Sequence, residues 1–290
     1  MKKTILIIGF LITGALCFSQ EKTNLPKEIQ KLFSQMVYVK GGEFNLYEMN
    51  IDDYREDGLP VSVSNLYAQK YEVSRALWQY VMEESLDCWE PDKNGQIDMT
   101  KPAGGISWSS AVDFCNKLNA LADLDPCYDL SDIENVKFNQ QANGFRLPTE
   151  AEWEFLGRGG ALSHHSPYIG DSSSLEDVAW SGCGYRTSYG LHNSGLLKSN
   201  ELGLYDLAGN LWEWCWDRYT EKSEEFYTLY KGKGVIKNYT GETAGKDRCL
   251  RGGAYDTDNS RAMFVACHIY HENPEKSFAV AGLRLVRTAE

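Results

Sequence analysis

The sequence predicts a loop-rich α+β domain, and three observations carry that prediction. Strand-like runs are short and bounded by turn residues. Runs of helical period open on serine or threonine caps. Glycines number 26 against 8 prolines in 290 residues, which favours turns and close backbone approaches over long regular elements. A hydrophobic content of 42% and an aromatic content of 12% suffice for a substantial core, in one large domain or two ordinary ones.

The first segment stands apart. Lys2 and Lys3 precede an apolar run from Ile5 to Phe18, too short to span a bilayer with margin, and Ser19 follows at a cleavage position, so residues 1–19 read as a secretory signal peptide. Export to the periplasm, the envelope or the medium is expected, with no transmembrane helix left after signal removal. Cys17 is preceded by Leu16, where lipoprotein processing favours a small residue, which argues against a lipid anchor. Losing Lys2 and Lys3 and no acid moves the formal charge from −12 to −14, a balance that repels nucleic acid and anionic lipid and tolerates divalent cations.

Residues 20–35 carry Pro26 and several charges and read as a tether, leaving residues 36–290 as the domain. Residues 36–44 suggest a strand, a Gly41-Gly42 turn and a second strand, that is, a hairpin. Residues 50–59 are rich in Asp, Glu and Arg and read as an exposed loop, and residues 60–71 as one strand. Ser74 then caps a helix with Leu77, Trp78, Val81 and Met82 inward, a long loop occupies residues 86–105, and Ser107 caps a second helix. Its apolar face carries Trp108, Ala111, Val112, Cys115, Leu118 and Leu121. Cys127 follows Cys115 closely enough for a disulfide worth about 2–3 kcal/mol in the chain-entropy model, and two buried thiols are the alternative. No Cys-x-x-Cys occurs, so zinc-ribbon and thioredoxin readings have no support, and removal of Cys17 leaves an odd number of cysteines.

Residues 144–155, Gly-Phe-Arg-Leu-Pro-Thr-Glu-Ala-Glu-Trp-Glu-Phe, contain a capping box between Thr149 and Glu152 and so start a helix. Residues 157–200 are polar and glycine-rich, and neither His164-His165 nor Cys183 suggests chemistry. Residues 203–216, Gly-Leu-Tyr-Asp-Leu-Ala-Gly-Asn-Leu-Trp-Glu-Trp-Cys-Trp, place Trp212, Trp214 and Trp216 on one face of an extended segment and Glu213 and Cys215 on the other. Asp206 and Glu213 either are acids of a tryptophan-rich core turn or present oxygens, with backbone carbonyls between them, to a calcium ion. His268 and His271 lack the His-Glu-x-x-His pattern of a zinc-protease helix, and Pro274 limits any helix there.

Four ordered stretches, residues 144–155, 203–214, 251–255 (Arg-Gly-Gly-Ala-Tyr) and 282–287 (Gly-Leu-Arg-Leu-Val-Arg), resemble the formylglycine-generating enzyme, or sulfatase-modifying factor, family. The likeness runs from about Met36 to Arg287. It implies a single domain of variant C-type-lectin-like fold. By the same resemblance, Asp206 and Glu213 offer side-chain oxygens, and Gly209 and Leu211 backbone carbonyls, to a structural calcium ion.

In the true enzymes a cysteine pair after Gly-Gly-Ser-Tyr binds copper(I), whose softness demands thiolates, and activates oxygen to convert a sulfatase cysteine to formylglycine. Those positions fall here on Thr257 and Ala262, and the serine on Ala254, while the tryptophan of the oxygen pocket is kept as Trp212. Cys267 and Cys115 match structural cysteines of the family whose partner positions are Gly157 and Leu285, so the enzyme's disulfide scheme is absent and the local Cys115–Cys127 pair gains weight.

The resemblance therefore implies a calcium-stabilised member without copper oxidase activity. Its groove, formed by Trp212, Tyr255, Thr257 and Arg261, would hold a protein, peptide or glycan in the cell envelope or join an envelope assembly. The alternative is a divergent sulfatase-maturing oxidase or another metal-dependent oxidoreductase.

Overall fold

A computed structural model describes residues 25–47, 49–51, 54–56, 58–162, 168–169, 174–182, 190–221, 224–268 and 270–289. The expected signal peptide with Cys17, His164-His165 and Cys183 lie outside these residues.

Two four-stranded sheets organise the chain. One runs in the order Met36–Val39, Leu66–Gln69, Val286–Thr288, Phe145–Arg146, antiparallel throughout, so the two ends of the domain share a sheet. The other runs His271–Glu272, Arg248–Arg251, Trp212–Arg218, Ala281–Gly282, with only the last pair parallel. A three-stranded sheet joins Ile236–Lys237, Leu59–Val63 and Gly42–Leu46.

The expected hairpin at residues 36–44 is not formed. Met36–Val39 pairs with Leu66–Gln69, whereas Gly42–Leu46 pairs with Leu59–Val63 in a different sheet. Gly41 makes that crossing: a Cβ there would lie 2.1 Å from the Val63 carbonyl oxygen. The single strand expected over residues 60–71 is split between the same two sheets. The acidic stretch expected as a loop instead carries the paired strands Met49–Ile51 and Tyr54–Glu56.

The tether also needs correction. After Pro26 the chain forms the helix Lys27–Ser34, whose Ile29 and Leu32, three residues apart, are buried in the main core. A proline fits ahead of a first helical turn, where no N–H partner is required.

The three capped helices form as the sequence predicts. Ser74 Oγ accepts from Leu77 N ahead of Arg75–Met82, and Ser107 Oγ accepts from Ser110 N ahead of Trp108–Leu121. Thr149 and Glu152 complete the reciprocal capping box of Glu150–Gly157. On the long helix Leu121 is 43% exposed, whereas Phe114 is fully buried and stacks on Trp78 with ring centroids 5.1 Å apart.

The strand Trp212–Arg218 alternates as expected. Trp212 and Trp214 enter the core around the Trp108–Leu121 helix, and Cys215 enters the one around Trp153. Two tryptophan polar edges in this layer have backbone acceptors: Trp214 Nε1 donates to Ile106 O, and Trp108 Nε1 to Cys215 O.

The Cys115–Cys127 disulfide is not formed, and both residues are buried free thiols. Burial pushes both thiols up, that of Cys127 to about 11. A sulfur kept protonated does not supply the thiolate that disulfide exchange requires.

Candidate functional site

The motifs read from the sequence meet in one buried network. Along Glu150–Gly157, which is buried at every position, Glu154 accepts from Arg251 Nη2 at 2.7 Å and from Arg158 Nη2 at 2.8 Å. Glu150 lies 3.3 Å from Arg251 Nε and accepts from the Tyr47 hydroxyl. Glu152 holds Arg146 through two hydrogen bonds of 2.6 and 2.8 Å while it caps the helix. Trp153 Nε1 donates to Glu213, whose carboxylate also receives Nε and Nη2 of Arg284. Acids and arginines that look like candidate catalytic groups are thus mutually neutralised, as burial requires. Their work is to fix the two sheets, residues 252–257 emerging from the one that contains Arg248–Arg251.

The turn of residues 206–213 is held open by left-handed backbone at Asp206, Gly209 and Asn210. A Cβ on Gly209 would lie 1.9 Å from Trp180 O. Leu211 N donates to Glu72, a residue the sequence reading did not single out, and Asn210 Nδ2 donates to the same carboxylate at 2.8 Å.

Asp206 Oδ2 accepts from Gly195 N at 2.6 Å, and its Oδ1 is buried with no hydrogen-bond partner. Burial raises the Asp206 carboxyl to about 6, with Glu213 adding to the rise against the pull of Gly195 N–H and Arg284. Glu72 is raised further by burial and by Asp206 and Glu213.

Of the expected calcium set, Asp206 fits, because an unpartnered buried carboxylate oxygen is a cation ligand in waiting. Glu213 does not fit, because Arg284 and Trp153 already occupy both its oxygens. Among the described residues no three His, Cys, Asp or Glu side chains converge into a metal-holding group, so the other oxygens would come from the backbone, where Gly209 and Leu211 lie.

At the family's two thiol positions the side chains are structural. Thr257 Oγ1 accepts from Ala254 N at 3.0 Å and closes a turn, while Ala262 is buried in the helical turn Ser260–Met263. Trp212 is 7% exposed and tilts against Tyr270, with ring centroids 4.3 Å apart. Arg261 is exposed. Of the four residues expected to line a groove, Tyr255 borders the cavity described next.

That cavity, about 680 Å³, is lined by Arg75, Cys88, Trp89, Lys101, His192 and Tyr255 among others. Its walls are the start of the Arg75–Met82 helix, the long loop of residues 86–105, and the segment at His192, where the sequence suggested no chemistry. His192 stacks on Trp180 with centroids 3.8 Å apart. Trp89 Nε1 and Cys88 Sγ both donate to Gly104 O. Burial raises the Cys88 thiol although Arg75 opposes it, and burial lowers Arg75 although Cys88, Asp98 and Tyr255 hold it up. Arg75 was legible in principle, since it precedes buried Trp78 by three residues and so faces inward on the same helix.

This arrangement of few helices and several small sheets is the formylglycine-generating-enzyme-like fold. The chain belongs to the sulfatase-modifying factor enzyme 1-like domain family, whose model matches residues 21–289. It is 30% identical over 234 residues to the chaperone protein LppX of Paenibacillus barcinonensis, covering 70% of this chain and 79% of that protein. With the formylglycine-generating enzyme of Bos taurus it shares 28% identity over 289 residues, covering 87% and 74% of the two chains. Among solved structures, Treponema denticola variable protein 1 superposes with a TM-score of 0.74 at 27% identity, covering 88% of this chain and 95% of that one.

Among the described residues no helix is long and apolar enough to cross a membrane.

Proposed function

We propose that this protein is an exported, non-catalytic member of its family that binds a ligand of the cell envelope in the cavity beside Tyr255. The observation that carries the reading is the pair Thr257 and Ala262. One side chain caps a turn and the other is buried in the core, so neither offers copper(I) a sulfur. A relative named as a chaperone protein and a structural neighbour named as a variable protein support a binding role over an oxidase. The apolar run of residues 5–18 supports export. The same proposal keeps a structural calcium ion at the turn of residues 206–211, with the free oxygen of Asp206 as its side-chain ligand, where it would neutralise carboxylates that outnumber Arg284.

Metal analysis and a turnover assay on the purified mature chain test the reading together. After loading and desalting, calcium should be retained and copper lost, and a Cys-x-Pro-x-Arg peptide supplied with copper(I) and oxygen should emerge unoxidised. Calcium should raise Tm in the parent and not in Asp206→Ala. Stoichiometric copper with aldehyde formation would instead identify a divergent sulfatase-maturing oxidase.

A further inference from the structure

The buried arginines of this protein differ in how their charge is met. Arg146, Arg158, Arg251 and Arg284 each meet a carboxylate within the fold, and Arg248, which forms no ion pair among the described residues, lies 3.6 Å from the Trp108 ring centroid and donates to Trp216 O. Arg75, only 6% exposed, meets none: among the described residues no carboxylate lies within ion-pair distance of it. Its Nη1 makes one long hydrogen bond to Asp98 O at 3.4 Å, and its Nε is buried with no acceptor at all. A guanidinium removed from water without a counter-charge is costly, and this one borders a cavity of about 680 Å³, within the size range of small-molecule sites.

We infer that the cavity binds a carboxylate group of its ligand, with the Arg75 guanidinium as the anchor. This rests on the reading of the chain as a binding module and adds the chemistry of what it binds. A guanidinium carries its N–H donors in a planar fork, the geometry that a carboxylate accepts side-on. Trp89 supports the anchor from behind, its ring centroid 5.3 Å from the guanidinium carbon. Lys101, half-buried, is directed to the same cavity by its hydrogen bond to Leu191 O at 2.9 Å. The half-buried ring of Tyr255 offers an apolar face to the body of the ligand.

Of the acids of the cavity wall, Asp98 acts on Arg75 through its charge, but among the described residues none forms an ion pair with it. Glu90, Asp92 and Asp98 are exposed. Asp92 Oδ1 accepts from Asn94 N and Gln96 N, and Asp98 Oδ1 accepts from Thr100 N and Oγ1, so both carboxylates are committed to their own loop. Their exposed negative charge disfavours polyanions more than it disfavours a single carboxylate.

Calorimetry on the full mature chain with two matched probe pairs decides the matter: N-acetyl-phenylalanine against its amide, and glucuronate against glucose. In at least one pair the acid should bind about ten-fold or more tightly than its neutral partner, the scale of one charge-assisted contact. Whichever pair responds identifies a peptide or a sugar acid as the source. In Arg75→Gln the preference should collapse towards unity. Should that variant fail to fold, Arg75→Lys carries the test, since it keeps the charge, loses the fork and should reduce the preference about three-fold or more.

Equal binding of acid and neutral probe in both pairs overturns the inference, as does an undiminished preference in the variants. Either result with a silent copper assay removes the anchor and leaves the binding-module reading standing. Copper turnover removes that reading and leaves the probe experiment to be judged on its own result.

Discussion

Glu213 ties together three pieces of chain that are remote in sequence. It accepts from Trp153 on one helix and from Arg284 near the chain end, and it lies on the strand that carries the tryptophans. Glu213→Ala should destabilise the protein by about 3–5 kcal/mol in urea unfolding, because Arg284 would stay buried without its counter-charge. Glu213→Gln, which keeps an acceptor, should cost less. A loss below about 1 kcal/mol for the alanine variant would mean that Arg284 finds another partner or water. Arg75 makes the contrast at the same scale. What separates it from Arg248, which is buried against Trp108 and Trp216 without an ion pair among the described residues, is its place on the cavity wall.

The helix Glu150–Gly157 shows how much an element's role depends on what surrounds it. Its start was legible residue by residue: Pro148 blocks backward extension, Thr149 caps, and Glu152 reciprocates. Nothing local revealed that all eight helical residues are buried or that each of its acids has an arginine waiting. Thr149→Ala should therefore cost only about 1 kcal/mol in a thermal or urea melt, the worth of one cap. Glu152→Ala should cost several-fold more, since it loses the cap and also strands Arg146. Equal losses in the two variants would contradict the double role of Glu152.

At the scale of the whole molecule, that pair also links stability to pH. Burial alone would raise the Glu152 carboxyl, but the charge and hydrogen bonds of Arg146, with Thr149 N–H and Gln140, outweigh it and hold the group below its ordinary value. The unfolded chain therefore binds this proton more readily than the folded one. The resulting stabilisation is complete above the ordinary glutamate range near 4.5 and is lost as pH falls through the depressed folded value. Urea midpoints of the parent should exceed those of Glu152→Gln at pH 7, with the gap closing progressively below about pH 4.5. A gap that persists unchanged at pH 3 would show that the carboxylate charge is not what Arg146 requires.

Helix caps, the inward faces of the helices and the alternation along Trp212–Arg218 were determined by the sequence alone, because each depends on residues within a few positions of one another and on periods of 3.6 or 2. The ordered motifs also carried the family and the fold. Tertiary structure alone decided which strands pair across Gly41, that Glu213 faces Arg284, 71 residues away, and that Glu72 joins the turn of Asp206. It also gathered Arg75, Trp89, Lys101, His192 and Tyr255 around one cavity. Ion pairs and cavities are made by contacts distant in sequence, and no local period encodes which buried charge will find a partner and which will be left open for a ligand.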